Sequence, residues 1–245
     1  MDVITMNLSK LVTRIKMNIG IYGIALPIDN IDEMITEIVT DISLPVFSLY
    51  NPYEESIYMD VNKLERVEKT AQYSAYLLPE FTTRKLLYVK DVRYDDRSIT
   101  GMGYWGGDIP YLYGALTQEY MISNAAAKIV SMTMPKMNFQ YEPPRKIYLY
   151  NMIASHSLIF DLLFEHDKSL QSINPTAEES FYKLCVLDVK ENLYATIKHY
   201  NNIQTAYGTI DLKIDDWQNA ESERKDLLSQ WDDTYHLDLG QMTWS

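Results

Sequence analysis

The sequence predicts an α+β fold, in which a helical bundle packs with short antiparallel strands and hairpins and carries projecting loops. Two segments near the C terminus place apolar residues at spacings of three and four, as amphipathic helices do. Shorter segments rich in β-branched and aromatic residues indicate strands. The 245 residues contain no internal repeat and no Gly- or Ser-rich linker. We therefore expect a single compact body over residues 1–245, with a mixed N-terminal part at 1–115 and a helix, a β-hairpin and two C-terminal helices at 116–245.

The N-terminal part begins with a predicted helix over residues 30–42. Asp29 or Asn30 is its expected cap, and Pro45 is expected to close it because proline lacks the N–H that a helix needs. The apolar residues of this segment are Ile31, Met34, Ile35, Ile38, Val39 and Ile42. Their spacing predicts one buried helix face.

Short strands are predicted after this helix. Residues 46–50 have the composition of a strand and end at an Asn-Pro turn, and residues 57–61 alternate in polarity, so the two segments are expected to form a hairpin. Residues 64–75 have apolar spacing that fits a helix, whereas residues 85–94 alternate enough to be a strand.

The loop at residues 100–115 combines five of the nine glycines with four aromatic side chains. Its glycine spacing matches Gly-x-Gly-x-x-Gly, but Pro110 prevents the helix that a dinucleotide site requires there. Rigid aromatic side chains in glycine-bearing segments favour contacts with a partner, and the tail at residues 237–245 has the same character. The 20 tyrosines of the chain also favour an interaction protein, although half-buried core positions are the alternative. The expected interface residues are Tyr104, Trp105, Tyr111, Tyr113, Leu239, Met242 and Trp244.

The C-terminal part begins with a predicted helix over residues 117–132. Residues 146–151 and 157–164 are predicted strands, and they are expected to form a hairpin through residues 152–156. The second of these strands alternates poorly, so we expect helices or another subunit to cover both of its faces.

Two helices are predicted at the C terminus. The first covers residues 176–200 and begins with Thr176-Ala177-Glu178-Glu179, which matches a capping box. The second begins at Asp215 and Asp216, whose carboxylates are expected to cap exposed amides. Its spaced residues are Trp217, Ala220, Arg224, Leu227, Leu228 and Trp231. Both segments indicate packing and not catalysis.

The charge of the chain excludes some classes of partner. A formal charge of −12, from 22 basic and 34 acidic residues, excludes a surface that wraps nucleic acid. Basic residues cluster at Lys10, Arg14 and Lys16 and again at residues 84–97, whereas residues 211–238 hold nine carboxylates. This asymmetry favours head-to-tail contact between copies, with a solvated acidic end as the alternative.

The sequence also indicates a soluble protein made in a cytoplasm, without a membrane partner. Its single Cys185 excludes an intramolecular disulfide, and its first residues lack the apolar run of a signal peptide. No run of about 18 apolar residues, the length of a membrane-spanning helix, is present.

No catalytic, cofactor-binding or metal-binding residue is predicted. The four histidines are dispersed, and Glu165-His166-Asp167 is the nearest arrangement to an acid–base cluster. Neighbouring side chains point apart, so we expect a solvated loop there. A hydrolase whose Asp and His residues meet only in space is the alternative of another class, and a cellular adaptor that binds another protein as a monomer is a second one.

A family resemblance appears in the last hundred residues. It lies in the order of a Pro-Pro strand at residues 143–149, a strand ending in Phe164-Glu165-His166, the helix start at residues 176–184, and residues 210–217. This order resembles virion structural proteins of tailed bacteriophages, especially neck or head-to-tail connector proteins, also called adaptors. The resemblance implies a non-enzymatic subunit that forms a homo-oligomeric ring in the virion, with portal and tail or neck proteins as partners. A baseplate or tail-completion protein is the alternative position.

Overall fold

The computed structural model of this chain describes residues 7–23, 28–94, 137–150, 152, 157–198, 202–205, 208–211 and 217–234. Helices and antiparallel sheets both occur, which confirms the predicted α+β class. The chain divides into two compact units, which we call the helical unit (Met1–Tyr53 with Glu165–Ser245) and the sheet unit (Glu54–Phe164). The helical bundle and the single body over residues 1–245 stay predictions.

The helical unit contains five α-helices among its described residues. They are α1 (Leu8–Asn18), α2 (Ile31–Glu37), α3 (Leu44–Tyr50), α4 (Glu178–Ile197) and α5 (Ala220–Thr234), and a π-helical segment, Ile38–Ser43, joins α2 to α3. Their apolar faces share one core, whose fully buried members include Ile15, Ile35, Phe47, Phe181 and Leu193. Within the described part of the chain, every helix is too short or too polar to cross a membrane.

Helix α1 is absent from the sequence-based prediction. Its cap is Asn7, whose side-chain oxygen accepts a hydrogen bond from the Ser9 N–H at 2.9 Å. Leu11, Val12 and Ile15 form its buried face. Leu8, Leu11, Val12 and Ile15 follow the i, i+3, i+4, i+7 spacing of an amphipathic helix, so the sequence displays this pattern and the prediction overlooks it.

The predicted end of the second helix at Pro45 is wrong, because the chain stays helical through α3. The Leu44 N–H donates to the Val39 carbonyl oxygen, five residues back, which is the register of a π-helix. Pro45 lies near the start of α3, but Ser43 before it is already helical, with φ −69° and ψ −43°, so the proline stands inside a continuous helical segment and does not end it. Residues 46–50 are therefore helical, and the hairpin predicted for them does not form.

Two predicted helix caps, Asn30 and Thr176, lack the predicted hydrogen bonds, and the caps predicted at Asp215 and Asp216 lie outside the described residues. Asn30 precedes α2 without a side-chain cap hydrogen bond, and Ala177 occupies the cap position of α4. Thr176 does not cap, because its N–H and hydroxyl both donate to Asn174 Oδ1, at 3.1 and 3.0 Å. Helix α4 still begins at Glu178, where acidic side chains complement the helix dipole.

The two C-terminal helices bury the faces that the sequence predicts. In α4 the apolar residues Tyr182, Val186, Val189, Leu193 and Ile197, which follow one another at spacings of three and four, are all buried. Trp217, Ala220 and Trp231 are buried at and before α5, and Leu227 and Leu228 pack partly buried against the same core. Helix α4 also buries residues on its other sides, because α1, α3 and α5 all pack against it.

The sheet unit consists of two antiparallel sheets. Its strands are β1 (Tyr53–Asp60), β2 (Glu65–Lys69), β3 (Tyr73–Leu77), β4 (Leu86–Tyr94), β5 (Asn138–Glu142), β6 (Lys146–Tyr150) and β7 (Ser157–Phe164). One sheet has the order β1-β7-β4, and the other has the order β2-β3-β6-β5. In the helical unit, β8 (Asn202–Thr205) and β9 (Gly208–Asp211) form a separate hairpin that the sequence analysis misses.

Four predicted strands are confirmed as parts of β1, β4, β6 and β7, but their pairing differs from the prediction. Strands β6 and β7 do not form a hairpin, because β6 lies between β3 and β5 while β7 lies between β1 and β4. The predicted helix over residues 64–75 is also wrong, since this segment forms β2, a turn and β3. Thr70 fixes the turn, where its hydroxyl oxygen accepts from the N–H groups of Gln72 and Tyr73.

Strand β2 is an edge of its sheet, and all five of its residues are exposed. Its pairing with β3 contains a bulge in which Val67 is the extra residue. Arg66 pairs with Tyr76 and Glu68 pairs with the next residue of β3, Ala75. Because neighbouring residues of β3 point to opposite faces, Arg66 and Glu68 do so as well.

Three predicted segments lie outside the described residues. They are the glycine and aromatic loop at 100–115, the helix over 117–132 and the tail from residue 237. Their predicted structures stay predictions.

Candidate interface surfaces

The predicted interface residues all lie outside the described part of the chain: Tyr104, Trp105, Tyr111, Tyr113, Leu239, Met242 and Trp244. The described surfaces are therefore characterised from their own contacts. Four of them bear on association, namely the α4–α5 contact, the outer faces of α5 and α1, and one face of the four-stranded sheet.

A buried carboxylate holds α5 against α4. The side chain of Asp188, on α4, is 1% exposed, and its Oδ1 accepts a hydrogen bond from Arg224 Nε of α5 at 2.5 Å. Its Oδ2 accepts from the hydroxyl of Ser43, in the π-helical segment, at 2.6 Å. Both carboxylate oxygens are satisfied, and one side chain thereby joins three helical segments.

The outer face of α5 is acidic. Its exposed carboxylates are Glu221, Glu223, Asp226, Asp232 and Asp233. Arg224 turns inward to Asp188, and Lys225 pairs with Glu221 at 2.6 Å, so neither cation balances the remaining carboxylates. The hydrogen bond from Lys225 lowers the pKa of Glu221. The acidic region predicted from the sequence is thus exposed where it covers α5, and Asp215, Asp216 and Asp238 lie outside the described residues.

The outer face of α1 carries the first predicted basic cluster. On this face a shallow depression is lined by Ser9, Lys10, Thr13, Arg14 and Met17. The Arg14 guanidinium lies 3.8 Å above the centre of the Tyr182 ring and 2.9 Å from Glu179. Lys16 is directed elsewhere, since it pairs with Asp32 at 2.7 Å and its side chain is 18% exposed. Arg14 and Lys16 are thus both paired with carboxylates, and the predicted cluster reduces to Lys10.

Three of the five cations of the second predicted basic cluster are paired with carboxylates inside the sheet unit. The ion pairs are Arg84 with Glu55 at 3.5 Å, Lys90 with Glu54 at 2.6 Å and Arg93 with Asp161 at 3.2 Å. Residue 97, the last cation of this cluster, lies outside the described residues. The positive charges of Arg84, Lys90 and Arg93 are therefore balanced within the sheet unit.

One face of the four-stranded sheet carries three half-buried tyrosine rings in mutual contact. Tyr73 of β3 lies opposite Tyr150 of β6, and its ring centre is 5.6 Å from that of Tyr150 and 5.5 Å from that of Tyr148. By register, the same face carries Glu65, Glu68, Gln140, Glu142 and Lys146. We call these eight residues the tyrosine face. The opposite face carries the buried residues Tyr76, Tyr141, Ile147 and Leu149.

Hydrogen bonds fix the three rings of the tyrosine face. Their hydroxyls donate from Tyr73 to Glu68 at 2.8 Å, from Tyr148 to Glu142 at 2.6 Å and from Tyr150 to Gln140 at 3.2 Å. The bond from Tyr148 lowers the pKa of Glu142, and the bond to Glu68 raises the pKa of Tyr73. Lys146 Nζ lies 4.6 Å from the centre of the Tyr148 ring and 3.6 Å from Glu142. The sequence analysis misses this surface, because its rings meet only through the pairing of β3 with β6.

A comparison with known protein families identifies the family of the chain. The sequence model of the family described as "Bacteriophage ring protein" matches residues 5–237. The chain belongs to this family. The match confirms the resemblance to bacteriophage structural proteins at the level of a ring protein. No curated protein matches this ring protein.

His166 of the ring protein is a buried structural residue, so the solvated loop predicted around it is wrong. The side chain is buried, and its ring centre lies 5.6 Å from that of Phe47. Nε2 lies 2.7 Å from the Asn51 carbonyl oxygen, which only accepts, so Nε2 carries the proton in this contact. Nδ1 lies 2.9 Å from the Ser172 hydroxyl, and the His166 backbone N–H donates to Ser48 Oγ at 3.1 Å. These contacts hold the segment after β7 to the end of α3.

The other groups suited to chemistry are few in the described part of the ring protein. Cys185 lies in the core, where burial raises the pKa of its thiol. The described residues hold no group of three or more His, Cys, Asp or Glu side chains placed to bind a metal ion.

Proposed function

We propose that this ring protein is a non-enzymatic structural subunit of a tailed-phage virion, and that its ring lies at the neck between the portal of the head and the tail. The family match over residues 5–237 carries the ring assignment. The neck placement draws on the resemblance of residues 143–217 to head-to-tail connector proteins. On this proposal the chain is made in the cytoplasm of the bacterial host and then enters the virion.

A closed ring needs two different surfaces on each subunit, one for each neighbour. The helical unit offers such a pair. Lys10 on α1 opposes in sign the carboxylates Glu223 and Asp226 on α5, and opposite charges guide the register of an interface. Met17, which is 58% exposed, adds apolar area to the α1 side.

A charge-reversal experiment tests this contact. Lys10→Glu is expected to weaken ring formation, and Glu223→Lys in the same chain is expected to restore part of it, because the pair is then reversed and not broken. Lys63→Glu is the matched control, since Lys63 is 84% exposed in the sheet unit. Sedimentation velocity of the purified chain measures the ring. Equal assembly of all four proteins would remove α1 and α5 from the contact.

The predicted loop and tail residues are proposed as further contacts in the ring. Replacing Trp105 and Tyr111 together by Ser, or ending the chain before residue 237, is expected to leave the subunit folded but to weaken assembly. Aromatic anchors at an interface commonly contribute about 2 kcal/mol or more each. Circular dichroism checks the fold, and its loss would make these residues part of a core.

The position in the particle is tested by a phage that carries a conditional stop codon in this gene. A neck ring is expected to give filled heads and complete tails that do not join, as seen by electron microscopy. Tails without baseplates, or no tails, would instead support the baseplate or tail-completion alternative. The mass of the purified chain with the portal protein provides an independent measurement, and a stable complex is expected.

A further inference from the structure

The tyrosine face has three properties of a binding surface, and the ring contacts proposed above do not use it. Its first property is exposed aromatic area. Tyr73, Tyr148 and Tyr150 are half-buried, so each presents part of its ring to solvent on one side of the sheet. Their rings touch one another and form a continuous aromatic patch. Tyrosine in such a position supplies large contact area at an interface.

The second property is rigidity. Each ring is held at its base by the strand and at its hydroxyl by an acceptor on the same face, which is Glu68, Gln140 or Glu142. A partner that binds here does not have to immobilise these side chains. Binding therefore avoids most of the entropy cost that flexible side chains impose.

The third property is charge. Among the described residues, this face sets three carboxylates, Glu65, Glu68 and Glu142, against one cation, Lys146. A negative surface that is also aromatic is complementary to a cation with an extended apolar or planar group. Arginine matches this description best, because its guanidinium stacks on rings and donates to carboxylates at once.

The same chemistry already occurs twice within the chain. Arg14 stacks on Tyr182 and pairs with Glu179, and Lys146 lies over Tyr148 and pairs with Glu142. The Tyr73 and Tyr150 rings have no such cation over them among the described residues.

We propose that the tyrosine face binds an arginine-bearing segment of a partner protein, whose guanidinium groups stack on Tyr73 and Tyr150 and pair with the carboxylates of that face. This partner surface is additional to the ring contact and does not depend on the position of the ring in the virion.

Fluorescence polarisation of a labelled peptide tests the proposal with the full chain. The probe is Gly-Arg-Gly-Arg-Gly-Arg-Gly, and its control has citrulline, which is neutral, in place of each arginine. The wild-type chain is expected to bind the arginine peptide at least tenfold more tightly than the citrulline peptide. Tyr73→Ser together with Tyr150→Ser is expected to weaken arginine-peptide binding at least fivefold. Tyr22→Ser is the control for loss of an exposed tyrosine, since Tyr22 is 58% exposed in the helical unit.

A second pair of variants separates specific binding from the general attraction of an acidic protein for a cation. Glu68→Gln with Glu142→Gln removes two charges from the tyrosine face, while the amide oxygens still accept the tyrosine hydroxyls. Glu223→Gln with Asp226→Asn removes two charges from α5. The first pair is expected to weaken binding at least fivefold and the second less than twofold. If the serine variant fails to fold, the comparison of these two charge-removing pairs still tests the proposal.

Three results in the binding assay would overturn the proposal. They are equal binding of both peptides, equal loss of binding from the two charge-removing pairs, and no effect of the tyrosine or carboxylate variants. Self-association that requires Tyr73 and Tyr150, with peptide binding unchanged, would also overturn it, because the face would then be a contact between copies.

Discussion

The Arg224–Asp188 pair provides a sharp test of how α5 is held to the rest of the helical unit. Replacing Arg224 by Met keeps an unbranched side chain of similar length but removes the guanidinium. The side chain of Asp188 is 1% exposed. Of the two side chains that donate to its carboxylate, only the Ser43 hydroxyl then remains. An ionised carboxylate without its cation is costly in a buried site.

The expected cost follows from the exposure of the two partners. Breaking a fully buried pair by removing one member costs about 3–5 kcal/mol, and the Arg224 side chain is 23% exposed, so we expect about 3 kcal/mol. Lys225→Met is the matched control, because Lys225 is the next residue of α5 and its pair with Glu221 is exposed at both ends. Such a surface pair contributes about 0.5 kcal/mol or less.

Urea denaturation followed by circular dichroism at 222 nm measures the difference in the free energy of unfolding. Arg224→Met should be destabilised by at least about 2 kcal/mol more than Lys225→Met. Replacing both partners, Asp188→Leu with Arg224→Met, should recover most of the loss, because no buried charge is then left without its partner. If Arg224→Met and Lys225→Met unfold at the same urea concentration, the buried pair does not hold α5 and the reasoning is wrong.

Three further predictions concern buried groups. Val189→Asp places a charge at a fully buried position of α4 and should cost several kcal/mol; an unchanged thermal midpoint would contradict the packing described for this helix. His166→Phe keeps a ring beside Phe47 but removes two side-chain hydrogen bonds. The free energy of unfolding in the same urea assay is therefore expected to fall by about 1–3 kcal/mol. Wild-type stability would show that these bonds are dispensable. Burial raises the pKa of Tyr141 from 10.0 to about 12. Between these values the unfolded chain releases the hydroxyl proton and the folded chain keeps it, so stability should fall as the pH rises through this range. The fall should be smaller in Tyr141→Phe, and identical pH profiles would show that Tyr141 does not contribute.

The helices and strands that sequence reasoning predicts correctly are those with a long or regular pattern. Helix α4 and helix α5 show their buried faces over many residues, so the periodicity outweighs local irregularities. Strands β4, β6 and β7 have enough β-branched and aromatic residues to be recognised. The errors occur where a local rule is overridden. Pro45 is placed inside a helix by a π-helical register, and β2 and β3 have apolar positions that match a helix by coincidence.

The pairing of strands and the candidate surfaces depend on contacts that a sequence does not display. Strand β6 pairs with β3, more than 60 residues earlier, and this pairing alone brings Tyr73 beside Tyr148 and Tyr150. Asp188 and Arg224 are 36 residues apart. Within α4, Asp188 resembles a solvated residue on the edge of an apolar face. Asp188 is buried because α5 and the π-helical segment pack over it, and this packing cannot be read from the sequence of α4.

The bulge in β2 has a consequence for how the ring protein associates. Without the bulge, the five residues Glu-Arg-Val-Glu-Lys of this strand would match an antiparallel copy of themselves, with Glu65 opposite Lys69 and Arg66 opposite Glu68. With Val67 as the extra residue, both glutamates lie on one face and both cations lie on the other. Two such edges brought together would place like charges opposite each other on each face, which disfavours pairing. In a ring, where subunits are held close at fixed orientations, this one-residue irregularity keeps a sheet from growing from one copy into the next.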